Sequence, residues 1–400
     1  MTKTKTTEIN KDSKFSSELE KVIVKIQKSP RAFADSDVKE FCAKRWRNIF
    51  LNETIQDPIA MKAATAKPLF GKDDRPAKQK AYERFLRNDG KPEWNDEYPE
   101  APKPVLKNTT LLFCPGLLTG LLPVMAFQEA FPAIEKKYKI RILQSDSHPM
   151  RGCEENVADI QNAVEKGIGL DANAKPITKG KPPKDIFVIC YSKGMPDLLT
   201  ALIRLPELKN RIRCIFNWAG APGGSPLADN IYNSIKDVDM GVIKNLTEML
   251  QVVNPVIKLG EKVRRLEEYH IKNAVEAITT TARQEFLQKH LKEIDKMNIP
   301  IFNLTGSTTV TEVPYFQMQG VMELNKYDAN NDMQVTQNGA KIITPMATDL
   351  AMLHGHHWDL SYSPFPKNMR FGSAHLEHPF PKEAAATAMI KFAFELGLID

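Results

Sequence analysis

Apolar residues follow two regimes along this chain. Up to about residue 107 they recur at helical spacing between charged positions. Leu19, Val22, Ile23 and Ile26 predict a helix over Ser16 to Gln27. Val38, Phe41, Cys42, Trp46 and Ile49 predict a second over Ser36 to Asn52, and a third covers Lys78 to Arg87. Residues 1–15 are polar and charged and read as disordered. Lys91 to Lys107, rich in proline and charge, reads as a linker or arm.

From Thr109 the pattern changes. Short apolar runs alternate with amphipathic stretches. The runs Thr110–Cys114, Ile140–Gln144, Ile186–Cys190, Cys214–Trp218 and Ile299–Leu304 predict strands. Glu155–Glu165 and Pro196–Leu205 predict helices between them. Fully apolar strands separated by helices imply a mostly parallel sheet covered on both faces. Pro226 to Met297 shows helical periodicity and no strand, and is too long for a simple crossover helix. A helical lid over about residues 226–297 is expected, since enzymes use such segments to exclude water. The expected organisation is a helical, basic extension and linker over residues 1–107, then an α/β domain over 108–400.

Composition narrows this picture. Hydrophobic residues make up 42% and charged residues 26% of the 400, ordinary for a globular chain. No apolar run reaches membrane-spanning length. The polar, lysine-rich start lacks the apolar segment of a secretory leader. The five cysteines are odd in number and follow no disulfide or zinc spacing, so a reducing, cytoplasmic setting is expected. The net charge of +6 is concentrated at the front: residues 1–95 carry 21 Lys and Arg against 14 Asp and Glu. Those bases are interleaved with acids, as on a solvated helical face. Docking on an anionic surface is the alternative, and no nucleic-acid partner is expected.

The candidate chemistry centres on Asp185-Ile-Phe-Val-Ile-Cys-Tyr-Ser-Lys-Gly194. An apolar strand runs into Cys190-Tyr-Ser-Lys-Gly194, and a helix follows. A serine hydroxyl becomes a useful nucleophile when a sharp turn exposes it to a base. Ser192 is the candidate. The usual turn is G-x-S-x-G, and here the small residue Cys190 replaces the first glycine. Upstream, an apolar strand ends in Pro115-Gly-Leu-Leu118. A loop at that place donates one amide to an oxyanion and the residue after the nucleophile donates another, which nominates Leu117 and Lys193. Eight histidines are available, and the base is expected late in the chain, with His354, His356, His357, His375 and His378 as candidates.

Downstream, Ala221-Pro-Gly-Gly-Ser-Pro-Leu-Ala-Asp229 resembles the T-P-H-x-G-S-x-x-A-D stretch of bacterial triacylglycerol lipases. Pro222, Gly224, Ser225, Ala228 and Asp229 match, while Gly223 stands where those lipases carry histidine. Gly355-His-His-Trp-Asp-Leu-Ser361 resembles their segment bearing the catalytic histidine, which makes His357 the base and His356 its rival. Asn331-Asp-Met-Gln-Val335 resembles their N-D-G-x-V step, with Met333 in place of glycine. That makes Asp332 the acid and Asp328 its competitor. Asp359 matches a position that helps hold a structural calcium in those lipases, but no partner carboxylate is identifiable and no metal is expected.

The resemblance covers about residues 108–400. It implies an α/β-hydrolase fold and a serine esterase or lipase needing no cofactor. The substrate implied is a small-molecule or lipid-like carboxylic ester, cleaved through an acyl-enzyme. An acyltransferase or thioesterase on the same triad, and an inactive hydrolase-fold binding protein, remain as alternatives.

Overall fold

The computed structural model describes residues 14–66, 71–87, 94–95, 98–119, 121–237 and 268–400. These contain one sheet built from β1 (Leu86–Arg87), β2 (Thr109–Cys114), β3 (Arg141–Gln144), β4 (Gly169–Leu170), β5 (Pro176–Ile177), β6 (Asp185–Tyr191), β7 (Ile212–Trp218), β8 (Ile301–Ser307) and β9 (Ala347–His354). The strand order is β1-β9-β8-β7-β6-β2-β3-β4-β5. The six strands from β9 to β3 in this order run parallel. β1, β4 and β5 are short antiparallel additions at the edges.

The apolar runs are uninterrupted because both faces are covered. Successive side chains point to opposite faces of a strand. Leu111, Phe113, Phe187, Ile189, Phe216 and Trp218 enter one core with the helices Ser36–Thr54, Ala130–Tyr138 and Lys382–Glu395. Leu112, Cys114, Val188, Cys190 and Ile215 enter the other with the helices Gly194–Arg204 and Thr280–Lys296.

All five strand candidates are strands, within two residues at their starts and three at their ends. β9 escapes the apolar-run criterion. Thr348 and the exposed Asp349 interrupt it, because its pairing comes from β8 and β1 rather than from a doubly buried run. The third predicted helix ends at Phe85. The next two residues turn into β1, where they pair with Leu353 and Met352 of β9. Tertiary pairing overrides local helical periodicity there.

The described residues of the first hundred pack on the core. Val38, Phe41, Cys42, Trp46 and Ile49 are all buried. Arg45 grips Glu395 through two bonds of 2.6 and 2.5 Å, with both side chains buried. It also donates to the Pro99 carbonyl at 2.9 Å. Several basic residues of this segment are paired locally, including Lys25 with Asp37, Lys44 with Glu40 and Arg75 with Asp73.

Within the expected lid, the described parts are the helices Pro226–Ile235, Ile271–Glu276 and Thr280–Lys296. Residues 238–267 lie outside the described residues. Thr280–Lys296 buries Ile294 in the second core and leads into β8, so it serves as the crossover helix itself. No helix among the described residues is long and apolar enough to cross a membrane.

Candidate active site

The chain leaves β2 for β3 on one side, then returns to place β6 on the other side of β2. The carboxyl ends of β2 and β6 therefore diverge at a topological switch point, where open α/β sheets hold ligands. Gly116 and Ser192 lie there, each two residues or fewer beyond its strand.

Ser192 has φ +53°, in the left-handed region that non-glycine residues rarely adopt. The surroundings fix it. Its carbonyl accepts from Met195 N at 3.2 Å and from Ala221 N at 3.1 Å. Gly194 has no room for a side chain, since a Cβ would lie 2.1 Å from the Cys114 carbonyl oxygen. A Cβ on Gly116 would lie 2.7 Å from Ser192 Cβ. Cys190, where glycine is usual, is buried in the second core beside β2. The helix Gly194–Arg204 starts directly after the turn, so its positive N-terminal end faces the serine's surroundings.

Asp332 and His357 meet across 25 residues of chain. His357 Nδ1 donates to Asp332 Oδ2 at 2.7 Å, with both side chains buried. Asp332 Oδ1 accepts from the amides of Gln334 at 3.0 Å and Val335 at 2.8 Å. Met333 has φ +83°, the conformation that glycine supplies freely in the N-D-G-x-V step. His357 lines a cavity of about 70 Å³ together with Ser192. Leu117, Leu118, Leu227, Ile231, Val275 and Trp358 give that cavity its apolar wall.

The rivals sit differently. Both ring nitrogens of His356 are engaged, Nε2 with the His375 carbonyl at 3.0 Å and Nδ1 with the Asp359 amide at 3.2 Å, and burial lowers its pKa. Asp328 accepts the amides of Asn330 and Gln337 and shapes a turn. His354 bonds Glu312, and His378 bonds the Ser363 carbonyl. Asp359 Oδ1 accepts from Phe380 N at 2.9 Å. Its carbonyl is approached at 3.2 Å by the Lys382 ammonium, which also reaches the carbonyls of His378 at 2.7 Å and Phe380 at 2.9 Å.

Comparison with solved structures bears on the fold. The metagenomic carboxyl esterase MGS0156 superposes with a TM-score of 0.59 at 21% identity, over 88% of this chain and 91% of that one. The mature lipase BlEst2 of Bacillus licheniformis gives 0.43 at 20% identity, over 66% and 89%. A lipase-esterase related protein of Clostridium acetobutylicum gives 0.36 at 14%, over 65% and 90%. The fold is that of the α/β-hydrolases. No family model and no curated protein matches the sequence.

Within this hydrolase fold, the lipase-like run after β7 has structural work. Ser225 caps the helix Pro226–Ile235 by accepting from Leu227 N, and it donates to the Gln334 carbonyl at 2.5 Å. Asp229 accepts from the amide and hydroxyl of Thr280 at 2.7 and 2.6 Å. Ser225 thus ties the segment after β7 to the Asp332 loop, and Asp229 ties it to the crossover helix. Sequence reasoning missed Tyr191. Its ring stacks on His357 at 4.8 Å and its hydroxyl donates to the His357 carbonyl at 3.0 Å. The one available signal was its place immediately before the serine.

Proposed function

We propose that this chain is a serine hydrolase that cleaves a carboxylic ester through an acyl-enzyme. The observation that carries the reading is the shared cavity of Ser192 and His357, with Asp332 behind the imidazole. The esterase and lipase names of the neighbouring structures agree with it.

Ser192 Oγ attacks the acyl carbonyl carbon, and His357 Nε2 takes its proton. Asp332 keeps Nδ1 protonated and stabilises the imidazolium. The amides of Leu117 and Lys193 hold the oxyanion of the tetrahedral intermediate. His357 then returns the proton to the departing alcohol, leaving the acyl group on Ser192. Water, losing a proton to His357, attacks the acyl carbonyl, and His357 returns that proton to Ser192 Oγ as the bond to the acyl group breaks and the acid is released. The small apolar cavity favours an apolar group next to the scissile bond. An acyl group of a few carbons is the expected optimum. A p-nitrophenyl ester series from acetate to palmitate tests this by its rate profile. A profile rising towards palmitate contradicts it.

A further inference from the structure

The amide of Lys193 belongs to the proposed oxyanion hole, but its side chain turns away from the cavity into the protein. The ammonium is buried and bonds both carboxylate oxygens of Asp197, at 2.7 and 2.9 Å. Asp197 lies one turn further along the same helix and is equally buried. Its Oδ2 also accepts from Asn156 Nδ2 at 3.0 Å. Asn156 in turn grips the backbone of His148, through its carbonyl and its amide, both at 3.0 Å. On the other side, the buried Arg283 adds positive charge near Asp197 and donates to the Pro222 carbonyl at 3.1 Å. Through Asp197 and Asn156 the turn bearing Ser192 is therefore tied from behind to the segment after β3.

A buried ion pair of this kind is seldom the most stable choice. Two apolar side chains of similar volume usually serve stability as well or better. A short bidentate bond does supply direction. It fixes the Lys193 ammonium, and so adds a side-chain tether to the two bonds that the Ser192 carbonyl accepts from Met195 N and Ala221 N in holding the peptide joining Ser192 to Lys193. That peptide adjoins a residue at φ +53°, which relaxes toward ordinary backbone angles unless it is held.

We infer that Asp197, braced by Asn156, is a positioning residue: through the Lys193 side chain it aims the Lys193 amide at the oxyanion. The inference rests on the serine-hydrolase reading above. It assigns Lys193 two separable parts, an amide that touches the reacting atoms and a side chain that holds the amide in place.

The test is the apolar exchange Lys193→Met with Asp197→Leu, measured in the full chain beside wild type. Thermal melting reports folding, p-nitrophenyl butyrate reports kcat and KM, and phenylboronate reports affinity for a tetrahedral adduct. Complete loss of an oxyanion donor costs roughly 10²–10³ in kcat, so misalignment predicts a fall of about 10- to 100-fold. KM stays near wild type, melting is retained, and phenylboronate weakens in parallel with kcat. Asn156→Ala, which leaves the ion pair intact, gives a smaller fall of the same character. It carries the test alone if the double exchange does not fold. Wild-type kcat and phenylboronate affinity in a folded double exchange, or in Asn156→Ala where that stands alone, overturn the inference and leave the hydrolase reading standing. A wild type that neither turns over ester nor labels with a fluorophosphonate sinks both.

Discussion

Asp332 and His357 are joined twice. The imidazole Nδ1 donates to the Asp332 carboxylate at 2.7 Å, and the His357 amide donates to the Asp332 carbonyl, also at 2.7 Å. The second bond anchors the two backbones, so the first depends little on side-chain freedom. In the proposed mechanism Asp332→Asn removes the carboxylate but keeps its shape, and kcat falls roughly 10³- to 10⁴-fold with little change in melting. Asp328→Asn, at the competing acid, leaves kcat unchanged. Steady-state kinetics on the two variants check this, and the reverse ranking contradicts it.

The elbow makes an unequal pair of its two flanking small residues. Gly194→Ala places a methyl against the Cys114 carbonyl and must displace the turn. Its kcat falls at least 100-fold, the scale expected for misplacing a reacting group by about 1 Å. Cys190→Gly restores the usual glycine and removes only a buried thiol, so it retains activity while melting lower. Rates and melting curves for the two variants decide the matter.

Arg45 and Glu395 bind the N-terminal helices to the last helix of the domain. Arg45→Met strands a buried carboxylate and lowers the unfolding free energy by about 3–5 kcal/mol. Denaturant titration measures the loss. A change near zero would mean that the Arg45–Glu395 pair contributes little to the fold.

Lys382 gives stability an unusual pH dependence. Burial pulls its ammonium down to about 8 from the ordinary 10.5. Between those values the unfolded chain binds more protons than the folded one, so this group makes unfolding costlier as pH rises. A shift of this size amounts to about 3 kcal/mol across the window. Tyr191 and Tyr362, raised by burial, act in the opposite sense but are common to wild type and variant. The difference in unfolding free energy between wild type and Lys382→Met therefore grows in favour of wild type from pH 8 to 10. A flat difference contradicts the assignment.

Much of this was legible in the chain. Runs such as Ile186–Cys190 are apolar throughout because both sheet faces are covered, and that coverage leaves a mark at every position. Ser192 could be read from the strand, turn and helix around it. The pairing of Asp332 with His357 was expected only from the resemblance of Asn331–Val335 and Gly355–Ser361 to lipase segments, which left Asp328 and His356 as rivals. What escaped depends on contacts across the fold. β9 takes its strand character from β8 and β1, and Leu86–Arg87 from β9, so neither shows a two-sided apolar run. Tyr191 matters through a ring 166 positions away in sequence. Lys193 and Asp197 stand four apart on a helix, a spacing common on exposed faces, and only burial distinguishes them.

The most direct test of the central claim compares wild type and Ser192→Ala on p-nitrophenyl butyrate, with fluorophosphonate labelling in parallel. The account predicts that wild type hydrolyses the ester and carries the label on Ser192, and that the variant loses both while melting at a similar temperature. Turnover that survives in Ser192→Ala, or a label found on another residue, would contradict it.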